Sequence, residues 1–253
     1  MITADTIGAP NWVDMSTPDI DATTDFYKTI FDWEIETAET PMGEYRIGKA
    51  AGRQVAGMMQ ALPGAGDAAS WTLFFNVGDL EPAISRIVNS GGDILQAPFD
   101  IPSARIAVAA DSTGAMFGLF SGPEINAVWL SRDVGAVSWV EELTRDPTAA
   151  QIFYGEVFGW ASETQDVGGT MYTTFKLDDD PVAGMMLMPS EVPADAPAHW
   201  SAYFTVADCE ATVERAVELG GAVLVPTREM EMGKFAVLAD PLGASFDLME
   251  YAE

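Results

Sequence analysis

Hydrophobic and polar residues alternate along this chain in a pattern that repeatedly predicts a strand, a helix and then further strands. Residues 11–16 alternate with the period of two that is typical of a half-buried strand. After Asp19, a residue type that favours helix N-caps, apolar residues recur on one helical face from Ile20 to Phe31. Short strands are predicted next, the last of them at residues 54–60. We interpret this segment as a module of one strand, one helix and three strands.

Three later segments follow the same order. The second opens with a strand at residues 71–77 and continues with a helix from Asp79. This helix ends at the glycines of residues 91–92, which are typical of a helix C-terminus. The other predicted elements are helices that begin at Asp146–Pro147 and at Asp208, and strands at 45–48, 93–96, 105–110, 115–120, 172–176, 182–188, 200–206, 222–225, 234–239 and 244–249.

The chain consists of two similar halves. Matching residues lie 127 positions apart at first, and 129 apart after a two-residue insertion. The matched pairs include Trp12 and Trp139, Phe26 and Phe153, Gly57 and Gly184, Trp71 and Trp200, and Asp111 and Asp240. Similarity sustained over this length indicates an internal repeat. We therefore predict a first domain at residues 1–122, a linker at 123–134 and a second domain at 135–253.

The composition is that of a globular protein. Hydrophobic residues make up 48% of the chain, so each half can bury a core, and no apolar run approaches the roughly 18 residues that a membrane span requires. No secretory signal is visible at the N-terminus. Cys209 is the one cysteine, which fits a reducing compartment, and it is expected to be a small buried helix residue. We predict a cytoplasmic protein.

The net charge of −27 excludes two classes of partner. Nucleic-acid binding needs a basic surface that releases counterions from phosphates. An anionic membrane surface would likewise repel this chain. The expected partner is a small-molecule ligand, and the expected assembly is a monomer that contains a pseudo-dimer of its own halves, or a homodimer.

The ordered motifs resemble the vicinal oxygen chelate superfamily, which includes glyoxalase I, bleomycin-resistance proteins and extradiol dioxygenases. Tandem-domain members of glyoxalase-like or hydroxylase type from actinobacteria are the nearest in pattern. The motifs that carry the resemblance are an acid-capped Phe-Tyr helix ending at Trp33 or Trp160, an aromatic strand leading to Asp79 or Asp208, and the turns 111–114 and 240–243. The resemblance implies an α+β fold of βαβββ modules, paired into open cup-shaped sheets with helices outside.

Strand alternation assigns residues to the two faces of each predicted sheet. On the first strand, Val13 and Met15 are expected to face the helix, while Trp12, Asp14 and Ser16 face the cavity. The same reasoning gives the set of candidate ligand-binding residues: Trp12, Thr72, Phe74, Arg105, Trp139, His199, Ser201, Tyr203, Lys234 and Asp247. Arg105 and Lys234 are equivalent positions that either anchor an anion or pair with an acid of the fold.

Asp14 and Glu141 are the candidate catalytic residues. A carboxylate beside indole rings has a raised pKa through desolvation and could serve as a general base. It would also suit an amine-bearing ligand. The alternative is that the tryptophans fill the core and backbone N–H groups satisfy the carboxylates.

No catalytic metal or other cofactor is predicted. Metal-dependent relatives, by the resemblance, place His, Gln or Glu on the first and last strands of each module, where this chain has Trp12, Trp139, Gly118 and Asp247. The chain has one histidine, so a two-histidine iron centre cannot form within it. A divalent metal held by His199, Asp247 and Glu141 is the remaining alternative.

The sequence thus favours a protein that binds a small aromatic or amphipathic metabolite in a cup-shaped cavity without a catalytic metal. The alternatives are an isomerase, lyase or hydroxylase-like enzyme that uses a carboxylate base, and a protein that sequesters a drug or toxin. A metal-dependent glyoxalase I ranks last.

Overall fold

The computed structural model describes residues 3–61, 67–102, 104–123, 130–190 and 192–252. Within these ranges, four modules each contain one strand, one helix and three strands, in that order along the chain. The elements of module 1 are β1 (Pro10–Thr17), α1 (Ile20–Phe31), β2 (Glu34–Thr40), β3 (Gly43–Ala50) and β4 (Arg53–Gln60). Those of module 2 are β5 (Ser70–Asn76), α2 (Leu80–Asn89), β6 (Asp93–Ile101), β7 (Ala104–Ala110) and β8 (Met116–Ser121).

The second half repeats this order. The elements of module 3 are β9 (Val137–Thr144), α3 (Pro147–Phe158), β10 (Ala161–Val167), β11 (Thr170–Leu177) and β12 (Asp180–Leu187). Those of module 4 are β13 (His199–Thr205), α4 (Cys209–Glu218), β14 (Ala222–Met230), β15 (Gly233–Ala239) and β16 (Ser245–Tyr251). The predicted α+β class and the tandem repeat of βαβββ modules are confirmed.

The first strand of a module pairs in parallel with its last strand. In module 1, Asp14 of β1 lies opposite Gly57 of β4, and β4 continues antiparallel to β3 and then β2. In module 2, Phe74 of β5 lies opposite Gly118 of β8. The described strands form two eight-stranded sheets, one from β1–β8 and the other from β9–β16.

Acidic residues begin the helices. The Asp19 carboxylate accepts a hydrogen bond from the Ala22 N–H at 3.0 Å, and Asp146 does the same for Ala149. The Asp208 carboxylate accepts a hydrogen bond from the Ala211 N–H at 2.9 Å. The Asp79 side chain makes no capping hydrogen bond at the start of α2. The four predicted helix starts are therefore confirmed.

Two strands escaped sequence analysis. β2 and β10 have no buried residue, and all seven residues of β10 are exposed. A strand that buries neither face has no alternation of polar and apolar residues, so periodicity gives no signal for it.

Spatial proximity divides the chain into two compact units that differ from the two sequence repeats. Unit 1 comprises residues 1–11, 73–125 and 139–201, and unit 2 comprises residues 12–72, 126–138 and 202–253. Unit 1 is built largely from modules 2 and 3, and unit 2 from modules 1 and 4. Of the predicted linker, residues 124–129 lie outside the described part of the chain, and the domain boundaries stay a prediction.

Aromatic side chains form the core of unit 2. Tyr27 of α1 is fully buried and packs edge-on against Phe246 of β16, with ring centroids 5.4 Å apart. Its hydroxyl donates to Asp240 at 3.1 Å and accepts from the Trp71 indole at 3.1 Å. Phe31 stacks on Phe204 at 4.8 Å. Such aromatic pairs stabilise a core by about 0.5–1.5 kcal/mol each beyond their burial.

Unit 1 contains the equivalent core. The Tyr154 hydroxyl donates to Asp111 at 3.0 Å and accepts from the Trp200 indole at 2.9 Å. Phe75 and Phe158 lie 4.9 Å apart. No helix in the described part of the chain has the length and apolar character to cross a membrane.

Candidate functional site

Two strands of module 1 bring an indole, a carboxylate and a phenol together. The Trp12 indole N–H lies 2.9 Å from Asp14 Oδ1 and 3.0 Å from the Tyr45 hydroxyl oxygen. The Tyr45 hydroxyl donates to the same Asp14 oxygen at 2.6 Å. Trp12 and Asp14 share one face of β1, while Val13 and Met15, on the opposite face, are buried. We call these three side chains the first aromatic–acid cluster.

Gly57 makes room for this cluster. β4 lies between β1 and β3, and Gly57 lies opposite both Asp14 and Ile47. The side chains of Asp14 and Tyr45 therefore reach over β4 from its two sides. A β-carbon at residue 57 would overlap the Tyr45 hydroxyl and the Asp14 carboxylate. The glycine is required by this close approach of side chains.

Burial changes the acidity of both polar groups. Removal from water raises the pKa of the Asp14 carboxyl above its ordinary value, against the smaller opposing effects of the bonds from Tyr45 and Trp12. Burial and the adjacent carboxylate also raise the pKa of the Tyr45 hydroxyl well above its ordinary value. Tyr45 therefore stays a hydrogen-bond donor, and Asp14 is a carboxylate that takes up a proton or a cation more readily than an exposed one.

Module 3 repeats the contact of an indole and a phenol over a glycine. The Trp139 indole N–H donates to the Tyr172 hydroxyl at 2.8 Å, and Gly184 lies beneath both groups, where a β-carbon would overlap them. Glu141 takes the place of Asp14, lies opposite Gly184 and is buried. We call Trp139, Glu141 and Tyr172 the second aromatic–acid cluster.

Sequence analysis missed the two tyrosines of these clusters. Tyr45 and Tyr172 are spaced by the repeat distance of 127 residues, as are the tryptophans, so a signal was present. This repeat spacing did not identify the tyrosines, because alternation was used to assign cavity-facing residues only on other strands. The glycines Gly57 and Gly184 were recognised only as markers of the repeat.

The other candidate residues are distributed along both units. Phe74 packs directly over Gly118, as their shared strand face predicts. Tyr203 lies opposite the buried Asp247 in the parallel pair of β13 and β16. Thr72 is half-buried and Ser201 is buried. His199 begins β13, where its Nδ1 lies 3.0 Å from the carbonyl oxygen of Pro197.

The two equivalent basic residues pair with helix acids. Arg105 lies 2.7 Å from Glu81 of α2, and Lys234 lies 2.8 Å from Glu210 of α4. Glu81 and Glu210 are themselves related by the repeat. This matches the alternative in which both cations support the fold, and their role toward a ligand stays a prediction.

The residues at the superfamily's metal positions do not fit a divalent ion. Tryptophan side chains occupy both first-strand positions and offer no ligand atom for a cation. Among the described residues, no group of three or more histidine, cysteine, aspartate or glutamate side chains is arranged to hold a metal. The alternative of a metal at His199, Asp247 and Glu141 stays a prediction.

A further buried acid was also missed. Glu142 of β9 is fully buried beside Asp111, and its Oε2 has no hydrogen-bond partner in the described part of the chain. Burial, together with the charge of Asp111, raises the pKa of Glu142 well above its ordinary value. The equivalent residue in module 1 is Met15, so the fold itself does not require an acid here.

Comparison with known proteins gives one family in two copies. The family model described as "Glyoxalase-like domain" matches residues 12–120 and again residues 139–249. The "Putative glyoxylase CFP32" of Mycobacterium tuberculosis (strain CDC 1551 / Oshkosh) is 34% identical over 252 residues, which cover 97% of this chain and 95% of that protein. The "Anthracycline biosynthesis protein DauV" of Streptomyces sp. (strain C5) is 35% identical over 266 residues, covering 97% and 94%.

Solved structures share the fold at low sequence identity. The Mn(II)-bound glyoxalase from Novosphingobium aromaticivorans has a TM-score of 0.64 at 13% identity, covering 98% of this chain and 83% of that one. The 2,2',3-trihydroxybiphenyl 1,2-dioxygenase from Sphingomonas wittichii strain RW1 has a TM-score of 0.64 at 12% identity, covering 97% and 91%.

Proposed function

Since the chain belongs to the glyoxalase-like domain family, within the vicinal oxygen chelate superfamily, we propose that it binds a small aromatic or amphipathic metabolite without a catalytic metal. The observation that carries this proposal is the first aromatic–acid cluster, whose tryptophan–tyrosine contact over a glycine recurs in module 3. An apolar aromatic wall with one oriented polar group is the usual composition of a small-molecule site.

The chemistry of the cluster supports an aromatic ligand that carries a hydrogen-bond donor. Tyr45 and Trp12 direct their polar hydrogens toward Asp14 Oδ1, so the cluster satisfies its own donors and holds a carboxylate among aromatic groups. Such a carboxylate favours a hydroxyl or an amine on the ligand. The relative named for anthracycline biosynthesis supports the same class, because anthracyclines are polycyclic aromatic compounds.

Calorimetric titration with 1,4-dihydroxyanthraquinone tests this proposal. We expect saturable binding that weakens about tenfold, or about 1.4 kcal/mol, in Trp12→Leu or Tyr45→Phe, because each change removes part of the aromatic wall or the hydrogen bond to Asp14. Asp25→Asn changes an exposed acid of α1 and is the matched control that should bind as the unchanged protein does.

Two results would contradict the proposal. One is binding that neither cluster variant alters. The other is elemental analysis that finds one tightly held zinc, nickel, iron or manganese ion per chain after purification.

A second candidate is an isomerase, lyase or hydroxylase-like activity with Asp14 or Glu141 as general base. The raised pKa of Asp14, caused by burial, favours it. For any substrate that is turned over, the double change Asp14→Asn and Glu141→Gln should abolish turnover while preserving binding. Intact turnover in that variant would rule out this mechanism.

A further inference from the structure

Unit 1 has a cavity whose lining includes no residue of the aromatic–acid clusters. Its volume is about 240 Å³, and three segments of the chain line it. The turn after β7 contributes Ser112 and Thr113, the start of α3 contributes Arg145 and Asp146, and the approach to β13 contributes residues 194 and 196–198.

The positions of unit 2 that correspond to this lining by the repeat are apolar where several residues of unit 1 are polar. Where unit 1 has the polar residues Ser112, Thr113, Arg145 and Glu142, unit 2 has Pro241, Leu242, Pro18 and Met15. Other positions of the lining are unchanged, since Asp146 and Ala149 match Asp19 and Ala22. The polar residues are therefore dispensable for the fold, and they are grouped around this cavity.

The backbone differs at the same place. In unit 2, the Ala69 N–H donates to the carbonyl oxygen of Leu242 at 3.0 Å. The repeat-related residues of unit 1, Ala198 and Thr113, instead both line the cavity. The cavity thus occupies the position that a backbone contact fills in the other unit.

The Thr113 hydroxyl has a defined direction. It lies 2.9 Å from Asp111 Oδ1 and 3.3 Å from Glu142 Oε1, so its hydrogen is directed toward the two buried acids. Its remaining lone pair can accept a hydrogen bond from a molecule in the cavity. A ligand that contacts Thr113 would therefore need a hydrogen-bond donor.

The Arg145 side of the cavity favours an anionic group on the ligand. One guanidinium N–H of Arg145 donates to the carbonyl oxygen of Pro193 at 2.7 Å, and Arg145 makes no ion pair with any acid in the described ranges. A guanidinium with free N–H groups binds a carboxylate in a two-pronged geometry. Asp146 does not compete for it, because that carboxylate caps α3 through Ala149.

From these observations we propose that the unit 1 cavity binds a small hydroxy-carboxylate, whose carboxylate pairs with Arg145 and whose hydroxyl donates to Thr113. The four alanines and one proline of the lining set the upper limit on its size. This site is independent of the function proposed for the aromatic–acid clusters.

The test is an NMR titration of the ¹⁵N-labelled protein with lactate, malate and acetate. We expect lactate or malate to shift the amide signals of residues 112–113 and 145–146 saturably, with a Kd of about 1 mM. Acetate lacks the hydroxyl and should bind about tenfold more weakly. The triple change Ser112→Pro, Thr113→Leu and Arg145→Pro introduces the residues of unit 2 and should abolish the shifts.

Single variants keep the test decisive if the triple variant does not fold. Arg145→Gln should weaken lactate binding at least about tenfold, while Arg215→Gln, which removes an equal charge from α4, should leave it unchanged. Three outcomes would overturn the proposal: no saturable shifts with either hydroxy acid, equal affinity for acetate, or equal losses in the two arginine variants.

Discussion

At the scale of single residues, Glu142 is the clearest departure from the repeat. The Asp111 carboxyl group accepts hydrogen bonds from the Thr113 N–H, the Thr113 hydroxyl, the Ala115 N–H and the Tyr154 hydroxyl. A second buried anion beside it would be strongly disfavoured. Burial and the neighbouring Asp111 therefore raise the pKa of Glu142 well above its ordinary value.

Glu142→Met is expected to stabilise the protein increasingly as pH rises. The folded state holds the Glu142 proton above the ordinary pKa of 4.5, whereas the unfolded chain releases it. Stability contributed by this proton is complete below that pH and is lost as pH rises toward the raised folded pKa. The difference in unfolding free energy between variant and unchanged protein should grow by up to about 1.4 kcal/mol per pH unit.

Urea denaturation at pH 5, 6, 7 and 8 measures this difference. Glu156→Met removes an exposed acid of α3 and should give a difference that does not change with pH. A pH-independent difference for Glu142→Met would mean that Glu142 is ionised in the folded protein.

Residue roles were predictable where the repeat preserved them and a strand face was clear. Trp12 and Asp14 were identified because residues 13–16 of β1 alternate, and its buried residues Val13 and Met15 mark the other face. Tyr45 was not identified, because its role depends on the register that sets β1 and β3 on either side of β4. Pairing between separate strands is a tertiary property, and no local pattern encodes it.

At the scale of elements, the helix starts offer a matched comparison. Asp208 and Asp79 begin the equivalent helices α4 and α2, but only Asp208 accepts a hydrogen bond from the helix backbone. Loss of such a cap costs about 1 kcal/mol. We expect Asp208→Ala to lower the unfolding free energy by about this amount and Asp79→Ala to lower it by clearly less, as measured by urea denaturation. Equal losses would show that the capping bond does not contribute.

The helices were predictable from sequence, whereas two of the strands were not. Amphipathic periodicity and an acidic cap define each helix within about two residues of its observed ends. β2 and β10 are held by antiparallel pairing with β3 and β11, and neither strand has a buried residue. Their position is thus set by backbone hydrogen bonds, which every sequence can form.

At the scale of the whole molecule, charge is the dominant property. The net charge of −27 places many like charges on a chain with only 12 basic residues. Mutual repulsion destabilises a compact state, and salt screens it over about 10 Å at 0.1 M. We expect the melting temperature to rise as NaCl increases from about 0.02 M to about 0.5 M. Calorimetry in neutral buffer measures this, and a melting temperature independent of salt would contradict it.

The tandem fold was predictable from the repeat, but the composition of the compact units was not. The family model confirms two matched copies along the chain. The units join module 1 with module 4 and module 2 with module 3. What decides this pairing is contact such as that of Phe31 with Phe204, between residues far apart in the sequence.

The composition of the two units determines the order in which they can fold during synthesis on the ribosome. Modules 2 and 3 are consecutive, so unit 1 can consolidate while synthesis is still under way. Tyr27 of module 1 can form its contacts with Asp240 and Phe246 only after these residues are translated, more than 200 residues later. Until then its hydrophobic helix face lacks the partners of the finished core, so module 1, although made first, is completed only together with module 4 and is exposed to aggregation during translation.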